Sequence, residues 1–171
     1  MKVYKCNLLP CSSLTAQTLK RAKEAALLIA HGTRSQLAGR DADFIRRHFK
    51  GKHFWAHACL CAHELLPKLA RSGIHSYGFR SSIHFSLSER TEIDVVQREL
   101  GGATDTSTAA QITRRVQDAW HREALEQLWK GNLLTASVLT HMTLSVRSFE
   151  AARADAPIGG GDGHAEGPVS E

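Results

Sequence analysis

The chain is expected to fold as an α/β protein, a mostly parallel sheet flanked by helices with a helical C-terminal part. Three observations predict this. Apolar runs of strand length and without polar alternation fill 26–30, 53–58 and 74–79, a pattern that suits strands buried on both faces of a parallel sheet. Segments with helical spacing separate these runs, which gives the strand–helix–strand order of βαβ units. Gly51, Gly73 and Gly131 punctuate the ends of those helical segments, where a residue free to adopt positive φ is favoured.

Each element has a local reason. A short strand is expected around Val3 and Tyr4. Ser13 or Thr15 caps a helix through about Ala25, with Leu14, Leu19 and Ala22 on its buried side. Run 26–30 is the next strand. A helix follows from Asp41 to about Lys50, where Phe44, Ile45, His48 and Phe49 share one side; Gly51 stops it. Run 53–58 is a strand, and 60–72 is helical up to Gly73. Pro67 fits there if the helix begins near His63, so that the ring falls in its first turn. Run 74–79 is a further strand, and 80–90 is a polar, Ser-rich loop.

The second half reads as helical. A helix over 92–100 closes at Gly101-Gly102. Thr106 or Ser107 caps a long helix to about Lys130, with Ala109, Ile112, Val116, Ala119, Trp120 and Leu128 as its apolar stripe. A last helix covers 133–141. Beyond it, Met142, Leu144 and Val146 alternate with Thr143, Ser145 and Arg147, which suits a strand or a continuing helix. Phe79, Trp120, Trp129 and Phe149 are expected in the core or between helices, and His48, His53 and His63 at the surface or at helix ends. From Asp155 onward glycine and proline dominate, the composition of a flexible tail. The expected organisation is one α/β domain over 1–154 and a tail over 155–171.

Composition narrows the function classes. The 171 residues are 42% hydrophobic and 23% charged, enough to bury a core without disulfides or metals. The net charge of +5 is mild, and no dense Lys/Arg run marks a nucleic-acid-binding arm, so a nucleic-acid partner is not expected. No stretch approaches the length of a membrane span, and no signal-type apolar region follows the first lysines. A cytoplasmic protein with free thiols at Cys6, Cys11, Cys59 and Cys61 is expected, and no cofactor.

Two residues carry the chemistry. His31 ends run 26–30 and Cys59 follows run 53–58; if those runs are neighbouring parallel strands, imidazole and thiol meet at one sheet edge, where open α/β sheets do chemistry. The 28-residue gap accommodates one helix and one strand. A thiol attacks as thiolate, so a nearby imidazole base and a following helix N-terminus are both useful. Gly32 lets a backbone N–H approach a reacting carbonyl oxygen. Cys61 is the rival nucleophile. His57, Cys59, Cys61 and His63 alternate, but alternate strand residues lie about 6.7 Å apart, too far to converge on one tetrahedral zinc.

The segments LLIAHGT, FWAHACLCAHELLPKLARSG and SYGFRSSIHF together resemble the caspase-like cysteine peptidases, in particular the short bacterial CHAT-type members, over roughly 14–85. The resemblance implies a caspase-like sheet and a cysteine endopeptidase acting on a protein or peptide substrate, with a regulatory partner protein as a further expectation. The general base falls on His31 and the nucleophile on Cys59. Oxyanion contacts fall on the backbone N–H groups of Gly32 and Cys59. The loop of Arg80, Ser81 and Ser82 would line the substrate cleft, with Arg80 suited to an acidic side chain through a bidentate pair. The chain departs from the pattern in its second thiol at Cys61 and its short His-to-Cys spacing.

Three other readings stand beside this one. YGFRSSIHFSLSERT is similar to the HGFRS segment of tyrosine recombinases, but the only tyrosines are Tyr4 and Tyr77, both upstream of Arg80, leaving at most a DNA-binding remnant. LLIAHGTR is similar to the start of sirohydrochlorin-type chelatases, which leaves the Ala58-Cys59 strand end unexplained. The third is a catalytically inactive caspase-like interaction module.

Overall fold

The chain runs β1 (Val3–Lys5), α1 (Ala16–Glu24), β2 (Leu27–His31), α2 (Ala42–Phe49), β3 (His53–His57), a 3₁₀ turn (Cys61–His63), α3 (Leu65–Arg71), β4 (His75–Phe79), α4 (Thr91–Gly101), α5 (Ala109–Trp129), α6 (Leu133–Ser145) and β5 (Val146–Phe149). The computed structural model describes residues 2–5, 15–25, 27–83, 91–103 and 106–152. The expected tail, Leu14, Cys6, Cys11 and loop residues 84–90 lie outside the described residues.

The α/β class and the βαβ order are as expected. The sheet has the order β1-β2-β3-β4-β5. β1 to β4 are parallel neighbours, and β5 returns antiparallel beside β4. Strands laid down in one direction with right-handed crossovers send every connecting helix to the same face. Ala22 of α1, Ile45 and Phe49 of α2, and Leu65, Leu66 and Leu69 of α3 accordingly share one core with Ala30, Phe54 and Ala56 of the sheet. The opposite pleat positions Ile29, Trp55, Tyr77 and Phe79 pack with Ile93, Val96, Ile112, Val116, Trp120, Leu139 and Met142 from α4, α5 and α6.

Local chemistry sets the element ends. Thr15 caps α1 in a reciprocal capping box with Thr18, and Asp41 Oδ1 accepts the Phe44 N–H at 2.8 Å to start α2. Gly51 turns the chain after α2 at φ +76°. Pro67 lies in the first turn of α3, as its missing N–H requires. The cap of α5 is Thr108, not Thr106 or Ser107: its Oγ1 accepts the Gln111 N–H while Gln111 Oε1 accepts the Thr108 N–H, a T-x-x-Q box that overrides the earlier hydroxyls.

Four expectations are corrected. α6 runs four residues beyond 141. Thr140 and Thr143 donate to the carbonyls of Ala136 and Leu139, so both hydroxyls are satisfied within the helix. Trp129 is 90% exposed, because it lies on the side of α5 turned away from the sheet. Leu128 is half exposed for the same reason. His53 is buried rather than superficial, stacked on His75 with ring centroids 4.4 Å apart and bonded through Nδ1 to the Tyr77 hydroxyl.

Candidate functional site

β2 and β3 are adjacent and parallel, and His31 pairs in register with His57. Cys59 follows two residues later in the turn that leaves β3. His31 and the Cys59 turn therefore lie on neighbouring strand ends at the C-terminal edge. Helix α3 leaves β3 on one face of the sheet, whereas α4, which follows β4, packs on the other. Adjacent strands whose connections part to opposite faces open a crevice between their C-terminal ends. The connections part between β3 and β4, and there Cys59 on the β3 wall meets the Arg80-Ser81-Ser82 segment on the β4 wall, the two joined by the bond from Leu60 N–H to the Ser81 carbonyl.

The two thiols have different surroundings. Cys59 is half-buried, and its Sγ accepts the Ile83 N–H at 3.3 Å, with the Ile83 carbonyl 3.7 Å away. Cys61 is fully buried in the α1–α3 core. Its Sγ accepts the Phe79 N–H at 3.3 Å and lies 3.7 Å from the Ala56 carbonyl. Burial pushes the Cys61 thiol up to about 11, so it stays protonated and inert. Cys61 faces one side of the sheet while His57, packed edge-on against Phe79, faces the other. The His/Cys alternation is thereby split across the sheet, and no metal-binding group of three occurs among the described residues.

Burial lowers the pKa of His31, which keeps its ring neutral near pH 7. Burial, then the neighbouring His31, holds His57 down to about 3. Gly32 is required by its hairpin. The His31 carbonyl accepts the Ala38 N–H at 2.8 Å, the Thr33 N–H reaches Gln36 at 2.8 Å, and a Cβ on Gly32 would run into the Gln36 carbonyl. These bonds flank Gly32, whose own N–H points away from Leu37. With the His31 carbonyl taken by Ala38, the parallel rung at His57 draws on the flanking residues Ala30 and Gly32.

Cys59 does not gain the expected helix N-terminus. Leu60 adopts φ +57°, the 3₁₀ turn intervenes, and α3 begins at Leu65. The backbone N–H at the sulfur comes from the β4 wall, which is anchored at many points. Arg80 N–H donates to the Ser145 carbonyl and His63 Nε2 donates to the Arg80 carbonyl at 2.7 Å. Leu60 N–H donates to the Ser81 carbonyl at 3.2 Å. His141 Nε2 donates to the Ser82 carbonyl at 2.9 Å and meets Ser81 Oγ at 3.0 Å, while Ser145 Oγ bonds Ser81 Oγ. Ser81 and Ser82 are thus committed to α6, while the Arg80 side chain is exposed.

His63, His141 and Ser145 were not among the site residues expected from sequence. His141 and Ser145 stand four apart, hence on one side of a helix without charged residues. That polar pair is the signal that marks them. No protein-family model, curated protein or solved structure matches the chain. No helix among the described residues is long and apolar enough to cross a membrane.

Proposed function

We propose that the protein is a caspase-like cysteine endopeptidase of the CHAT type with Cys59 as nucleophile and His31 as general base. The observation that carries this reading is the pairing of β2 with β3, which brings a neutral imidazole and a half-buried thiol to the same C-terminal sheet edge. His31 takes the Sγ proton and the sulfur attacks the scissile carbonyl carbon. The oxyanion that forms is held by the Cys59 backbone N–H. Collapse expels the amine with the proton returned by His31, and water hydrolyses the thioester to release the acid. Gly32 contributes by allowing the close hairpin that supports His31 rather than as a second oxyanion donor. Arg80, exposed on the opposite wall, is the group suited to read an acidic substrate side chain.

A thiol-directed electrophile tests the dyad. Cys59 is expected to be labelled first in the native chain, His31→Ala to slow that labelling, and Cys61 to react only on unfolding. Fluorogenic peptides with an acidic residue before the scissile bond should be cleaved, and Cys59→Ala should abolish turnover. Labelling of Cys59 unaffected by His31→Ala, with no peptide turned over, would favour the inactive interaction module. That second reading has one observation behind it: the Cys59 sulfur is already bonded to Ile83.

A further inference from the structure

The outer side of the α5–α6 hairpin is the most apolar surface among the described residues. Leu125 is 46% exposed, Leu128 52%, Trp129 90%, Leu133 65%, Leu134 79% and Leu144 65%. His121, Leu125 and Leu128 of α5 and Leu133, Ser137 and Thr140 of α6 line a groove between the two helices. α6 contains no Asp, Glu, Lys or Arg over its whole length. One side of it is buried through Ala136, Leu139 and Met142, and the exposed side still carries Leu133, Leu134 and Leu144 beside Ser137, Thr140 and His141. Large apolar side chains gathered on an uncovered helix face mark an interaction surface.

From these observations we propose that the outer face of the α5–α6 hairpin docks a second copy of this chain, joining two hairpins into a four-helix layer. Three arguments select this occupant. Taking fully exposed large side chains at roughly 150–250 Å² each, the residues named contribute about 700 Å². Summed over both helices, that area approaches the ~800 Å² per partner of a stable interface. A two-fold axis sets each patch against itself, so any net charge on it would be repelled by its own copy. The apolar side chains carry none; of the charges beside them Arg114 is paired with Asp118 and Lys130 with Glu126 within α5, and the exposed Arg122 flanks the patch at its margin. Residues 153–171 are a poor cover, since Ile158 and Val169 are their only large aliphatic side chains.

The full chain, sized by light scattering over about 1–100 µM, the weak end of the micromolar-to-picomolar range that interfaces of this area span, tests the proposal. Dimers are expected, with the emission of Trp129 moving to shorter wavelength as they form, since Trp55 and Trp120 are already buried. Leu134→Glu should raise the dimer dissociation constant at least ~100-fold, because a two-fold interface feels each substitution twice. Unchanged thermal unfolding of that variant at low concentration would show that it is folded. A variant dimer as tight as the parent would overturn the proposal. So would a parent chain that stays monomeric. Trp129 emission already shifted in that monomer would show that another segment of this chain covers the face, and solvent-exposed emission would leave the face to a different protein.

Discussion

The two faces of the sheet are built by opposite rules. Toward α1–α3 the strands present mostly small side chains, Ala30, Ala56, Ser76 and Gly78, with Phe54 the large exception, and most of the bulk comes from the helices through Ile45, Phe49, Leu65, Leu66 and Leu69. Toward α4–α6 the strands themselves carry the bulk. Trp55 meets Tyr77 at 5.8 Å, Phe79 at 6.3 Å and Trp120 at 5.7 Å between ring centroids, and Ala109, Ala119 and Ala124 of α5 make room for them. The first face therefore fixes backbone proximity and the second fills volume. The sheet imidazoles whose pKa burial lowers also lie on the second face, in His31 and His57. Their titration should consequently be felt through the aromatic face, and tolerance to added volume should be lowest on the other.

The largest effect expected from breaking this contrast is Trp55→Ala, at about 3–5 kcal/mol of stability in urea unfolding, because its ring touches every layer of the aromatic core. Next is the pH response. His57 is held down to about 3, whereas the unfolded chain takes a proton near pH 6.5. Stability is therefore complete above about pH 6.5 and falls as the pH drops toward 3, by up to ~1.4 kcal/mol per pH unit for this group. His31 acts in the same direction. His57→Leu should flatten the slope between pH 6.5 and 4 by about one proton; equal slopes in the two chains would remove His57 from the account. Smallest is Gly78→Ala, at about 1–3 kcal/mol. Its Cβ would meet the Cys61 sulfur and lie 2.8 Å from the Ala56 carbonyl. Part of that loss should be recovered with Cys61→Ala, and a double-mutant cycle with no coupling would contradict the close approach.

Much of the scaffold was legible because its signals are local. The apolar runs before His31 and before Cys59 are strands, the glycines at 51, 73 and 131 take positive φ, and Pro67 marks the first turn of α3. What escaped was decided by tertiary partners. The segment from Met142 to Val146 reads equally as strand or helix until Thr140 and Thr143 are seen bonding back along α6. Trp129 looks like a core residue in composition and becomes an outer one only through the rotation of α5. At the candidate site, the neighbouring strands that end at His31 and just before Cys59 were anticipated. His141 and Ser145 lie about 60 residues from the Ser81 loop they hold, and no pattern along the chain joins them to it.

β5 is the last strand of the sheet, and its outer side is where another chain could extend the ladder. The Arg80 N–H reaches the Ser145 carbonyl, so at the paired position of Phe79 and Val146 the backbone groups of Val146 point outward. Both are occupied: the N–H by the Met142 carbonyl and the carbonyl by Arg147 Nη1 at 2.6 Å. An incoming strand would find four residues, one bound carbonyl and a guanidinium across its path. Short edges guarded by charge resist strand addition and the fibrous aggregation that follows from it, so Arg147 guards this edge at Val146, while Ser148, paired with Tyr77, has the same outward orientation.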